Sequence, residues 1–130
     1  MTEGRSRRGI SRRGFVTGAL GAGGPDRGSG EDVTRELARV ADRLRVVGPR
    51  LAARDTSEAE ATLSGVREAL QALADIGAQA EARRPGAVPR LAPHALADQV
   101  LVLGHDVLAA GDPAATGRAH AVLVELRRQL

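Results

Sequence analysis

The sequence predicts an all-α fold: an antiparallel up-down four-helix bundle over residues 31–130, preceded by a disordered, basic, Gly/Arg-rich tail over residues 1–30. Apolar side chains recur every three or four positions from Val33 onward, which is the period of one helix face. Gly-Pro, Pro-Gly and Asp-Pro pairs divide that pattern into four stretches. Nine of the 16 glycines and a net charge of +4 fall within the first thirty residues, while the remaining hundred carry 13 Arg against 14 acids.

The tail shows no sustained periodicity and repeats a short unit, Ser6-Arg7-Arg8-Gly9-Ile10 and then Ser11-Arg12-Arg13-Gly14-Phe15. Such a stretch buries too little apolar area to offset its ordering entropy. The first helix follows on Val33, Leu37, Val40, Leu44, Val47 and Leu51, spaced 4, 3, 4, 3, 4. Gly48-Pro49 is expected to end or kink it near residue 47, with a short continuation to 54, because proline removes a backbone donor and crowds the preceding turn. Ser57-Glu58-Ala59-Glu60 reads as a capping box opening the second helix, whose stripe is Leu63, Val66, Leu70, Leu73, Gly77 and Ala80. That helix is expected to reach about Arg84, before Pro85-Gly86 and Pro89. The third runs from near Pro93 to Ala110. Asp112-Pro113 caps the fourth, with Ala119, Val122, Leu123, Leu126 and Leu130 on its inner face.

Composition narrows the chemistry. With no Cys in 130 residues, disulfides and thiolate-bound metals are excluded. No stretch approaches the roughly 20 apolar residues of a membrane span, so no integral membrane protein is expected unless the N-terminus acts as an anchor; the expected location is cytoplasmic. Lys, Asn, Trp and Tyr are absent, every basic residue is Arg, and Phe15 is the single aromatic residue. This bias is what GC-rich codons produce and points to a high-GC bacterial source. The near-neutral bundle offers no nucleic-acid surface. A core without rings predicts modest stability or gain from self-association.

The third helix holds most of the potentially chemical side chains. On a regular helix His94, Asp98 and His105 fall within about 40° of one another at the border of a wide apolar face. His94 and Asp98 could share a metal ion. His105 is eleven residues from His94, roughly 16 Å along the axis, so a closed site would need ligands from other helices. Pro93-His94-Ala95-Leu96, with Leu103-Gly104 after it, is faintly similar to the H-x-L-K-G motif of histidine phosphotransfer domains. The Lys and Gly of that motif fall on Ala97 and Asp98, and a carboxylate one turn from a phosphohistidine would repel it. A phosphotransfer-like, metal-binding or small-ligand bundle centred on His94, Asp98 and His105 is therefore the competing expectation. No Gly-rich loop lies between a strand and a helix, and neither Ser57 nor Ser64 has a His at an activating spacing. The expectation is a non-catalytic protein with no cofactor.

Asp98-Gln99-Val100-Leu101-Val102-Leu103-Gly104-His105-Asp106-Val107-Leu108 resembles a D-Q-x-x-V-x-G-H-D-L-L segment of small helical proteins of actinobacteria. The resemblance covers about a tenth of the chain and implies a source and a helical layout, with no activity attached. Gly104 inside a helix costs about 1 kcal/mol relative to Ala, and a close helix crossing would compensate it. Asp98, Gln99, His105 and Asp106 then form a polar cluster beside that crossing. Asp98, Gln99, Gly104, His105 and Asp106 are the candidate interaction cluster, for a second copy or another protein's helix.

In the tail, Ser11-Arg12-Arg13-Gly14-Phe15-Val16 resembles the S-R-R-x-F-L signal of the twin-arginine export pathway. The resemblance implies export through Ser11, Arg12, Arg13 and Phe15. The apolar stretch that follows, Val16 to Gly24, is short for such a signal and no A-x-A-like cleavage site follows it. A basic arm for anionic surfaces, or translated sequence ahead of the true start, is the other expectation for these residues.

Overall fold

The structure, a computed structural model, describes residues 29–130. They form α1 (Gly30–Ala52), α2 (Ser57–Ala80), α3 (Leu96–Ala110) and α4 (Pro113–Gln129), with a 3-10 turn at Pro93–Ala95 ahead of α3. No strand occurs among the described residues. The expected all-α four-helix bundle is present; the expectations for residues 1–28 lie outside the described residues.

Three of the four helix starts carry a side-chain cap, whereas α3 continues from the 3-10 turn without one. Ser29 is the N-cap of α1, which starts one residue before the expected boundary, and its hydroxyl accepts from the Asp32 amide at 3.1 Å. Thr56 rather than Ser57 caps α2, its Oγ1 accepting from the Ala59 amide at 3.1 Å. The capping box therefore does not form: the third helical position is Ala59, and Glu60 is one residue too late to reach back. Asp112 caps α4 with Pro113 in its first turn, as the Asp-Pro pair predicts.

Two helix ends differ from expectation. α1 continues through Gly48-Pro49 to Ala52. Proline removes only the bond to the carbonyl of Arg45, an exposed residue that water can serve, and Pro49 itself accepts from the Ala53 amide. Gly48 is buried because a Cβ there would stand 3.1 Å from the Pro93 carbonyl oxygen, so the end of α1 abuts the 3-10 turn. α2 stops at Ala80, short of Arg84, in a Schellman motif. The amides of Ala82 and Arg83 bond to the carbonyls of Gln79 and Ala78, with Ala82 held at φ 55°.

Each of α1 and α2 packs chiefly on α3 and α4. α1 and α3 are antiparallel: Gly30 lies by Leu108, Leu37 by Gly104 and Gly48 by Pro93. α2 and α4 are antiparallel too, with Gly65 by Gln129 and Gln79 bonded to Arg118. Between α2 and α3 the chain first returns along α2, in an extended segment over residues 81–92. The alternation of direction therefore holds for α1 to α2 and for α3 to α4, while α2 and α3 share a direction. Gln71 holds the return segment, donating to the Gly86 carbonyl and accepting from the Val88 amide, both at 2.9 Å. Arg67 donates to the Leu91 carbonyl.

The core is aliphatic throughout, with Leu37, Leu44, Leu70, Leu73, Leu96 and Leu123 fully buried. One charge joins it: Glu36, 4% exposed, pairs with Arg127 of α4 and, at 3.5 Å, with Arg39.

Candidate functional site

α3 is crowded on one side, where a glycine lets α1 approach, and open on another. Toward α1, a Cβ at Gly104 would lie 2.3 Å from Leu37 Cδ2, so the two helices meet as closely as glycine allows. This is the crossing that a mid-helix glycine led us to expect. Gly104 faces α1 and is buried, whereas His105 and Asp106 are exposed.

On the opposite flank α3, the return segment and α2 enclose a groove of about 560 Å³. Its floor is Leu73, Gly77 and Ala78 of α2 with Leu103 of α3. Val88, Pro89 and Leu91 form one wall, and Asp98, Gln99, Val102 and Asp106 the other. Val102 is 59% exposed and Leu91 44%, so the apolar lining continues outward onto the surface. Exposed apolar side chains beside a concave apolar surface are the arrangement that marks a contact site.

Gln99 donates to the Pro89 carbonyl at 2.9 Å and so fixes the return segment against α3. Its Oε1 is buried without a hydrogen-bond partner among the described residues. A buried acceptor left unmatched costs about 1–3 kcal/mol. Asp98 and Asp106, about two helical turns apart on the rim, make this edge acidic; Arg83, on the other side, is engaged by Glu81 at 2.6 Å.

The candidate cluster is thus divided. Asp98, Gln99 and Asp106 line the groove, Gly104 sets the crossing on another face, and His105 belongs to neither. His94 is displaced more: it is exposed in the 3-10 turn before α3 begins. The regular-helix projection that aligned it with Asp98 and His105 therefore does not apply. Among the described residues no three His, Asp or Glu side chains converge as a metal site would require. No helix among them is long and apolar enough to cross a membrane.

Gln71 and the return segment were not legible as site components. Residues 81–92 read only as a Pro-interrupted break, and a lone Gln on a helix gives no sign that it will grip a backbone fifteen residues away. Set against family models, curated proteins and solved structures, the chain matches none.

Proposed function

We propose that this protein is a non-catalytic interaction module whose docking surface is the groove between α2, the return segment and α3. The carrying observation is the apolar hollow of about 560 Å³ that opens beside exposed Val102 and Leu91. Its occupant is a polypeptide segment with apolar side chains for the floor and a basic flank for Asp98 and Asp106. Burial of the apolar contacts provides affinity at about 25 cal/mol per Å², and the acidic rim provides orientation.

The test compares the full chain with its Val102→Glu variant, which alters an exposed position and leaves the core intact. Affinity capture from a native lysate and sedimentation over a concentration series are run on both. A captured protein or self-associated species present with the wild type and lost with the variant is the expected result. Identical behaviour of the two chains, in thermal unfolding as well as in capture and sedimentation, overturns the reading, since an occupant from within the chain shows only in the unfolding.

Export through Ser11, Arg12, Arg13 and Phe15 is a separate proposal about where the module acts. Cell fractionation of the wild type and of the Arg12→Lys/Arg13→Lys chain tests it, and a wild type confined to the cytoplasm removes it.

A further inference from the structure

We propose that the groove's occupant is the chain's own N-terminal segment around Arg12-Arg13-Gly14-Phe15-Val16, docked in cis; this rests on the groove being an interaction surface. The floor is built of small and aliphatic side chains, among them Gly77, Ala78 and Leu73, and leaves a volume larger than one side chain. The fold itself supplies no ring to fill it. Phe15 is the one aromatic residue of the chain, and a phenyl side chain is the largest apolar group this sequence offers. Val16 and Ile10 flank it as further apolar contacts.

Charge points the same way. The first thirty residues carry +4 and the rest −1, and the groove's α3 rim presents Asp98 and Asp106. Arg12 and Arg13 directly precede the Phe15 segment, so a ring seated on the floor brings two guanidinium groups toward that rim.

The tether is long enough. The described residues begin at Ser29, and Gly30 sits against Leu108, two residues beyond Asp106 on α3. Thirteen residues lie between Phe15 and Ser29; a fully extended chain over that separation spans roughly 45 Å, and a flexible coil about 20 Å. The part of α3 from Asp98 to Leu108 is only about 15 Å long. A tether of this length holds the segment at an effective concentration on the order of millimolar, so a weak contact suffices.

The absence of cysteine makes the test direct. A spin label on Thr17→Cys in the full chain should broaden the NMR signals of Ala74, Val88, Val102 and Leu103, unchanged over a tenfold dilution. Phe15→Ala in the labelled chain should abolish the broadening. Asp98→Lys/Asp106→Lys should weaken it severalfold, and adding Arg12→Glu/Arg13→Glu to that chain should restore it. Broadening that falls on dilution assigns the groove to a second copy and overturns docking in cis. No broadening, or broadening spread over the whole fold, also overturns it. If broadening is absent while capture still depends on Val102, only the cis occupant is removed; if both are absent, the interaction reading falls with it.

Discussion

Gly104 and Gly117 are both helical glycines, yet their neighbours give them opposite roles. A Cβ at Gly104 would overlap Leu37, which is buried and has nowhere to move, whereas a Cβ at Gly117 meets nothing within 4 Å. Gly104→Ala should lower stability by about 1–2 kcal/mol, overpacking outweighing the gain in helix propensity, while Gly117→Ala should raise it by about 0.5–1 kcal/mol. Chemical denaturation of the two variants measures both signs. Asp32 carries a second residue-scale effect. The Ser29 hydroxyl donates to its Oδ2 at 3.0 Å, and this bond, helped by Arg35, holds the carboxyl below its ordinary range. A depressed folded pKa gives stability that is present above the unfolded value and lost as pH falls through the folded one. Amide protection in the first two turns of α1, taken relative to the intrinsic exchange rate at each pH, should therefore fall on acidification through and below the usual carboxylate range, and Asp32→Asn should flatten that dependence.

At the scale of elements, helix ends follow short-range chemistry that a pattern of apolar residues does not report. Ala82 sits at φ 55° because the Schellman motif ending α2 needs a left-handed residue there. Glycine would take that conformation without the Cβ penalty, so Ala82→Gly should stabilise by about 0.5–1 kcal/mol despite its greater unfolded-state freedom, measurable as a rise in Tm. The same turn launches the return segment. Gln71 and Gln99 then hold it by backbone hydrogen bonds, and the groove exists because this strand of chain stands off α2 and α3 instead of packing between them.

Over the whole molecule, the aliphatic core is closed by one charged contact. Glu36 and Arg127, 91 residues apart, join α1 to α4, the carboxylate buried and the guanidinium half-exposed. Removing only the cation leaves a buried carboxylate with Arg39 as its remaining partner, so Arg127→Ala should destabilise by about 1–3 kcal/mol. Glu36→Met replaces the buried charge by an apolar chain of similar size and should be near neutral. Urea denaturation of both variants distinguishes a needed charge from a needed volume.

The spacing of Val33 through Leu51, of Val66 through Leu73 and of Leu123 through Leu126 by itself determined the number of helices and their inward faces, since burial of an apolar stripe is decided along one helix. Asp112-Pro113 likewise located the start of α4, and Gly104 announced a close crossing. Only the tertiary structure decided that the chain runs back along α2, that α2 and α3 point the same way, and that Asp98, Gln99 and Asp106 line a groove while His94 and His105 stand apart from it. Those outcomes depend on which helix lies beside which and on single hydrogen bonds between segments distant in the chain, and periodicity within one helix contains no information about either.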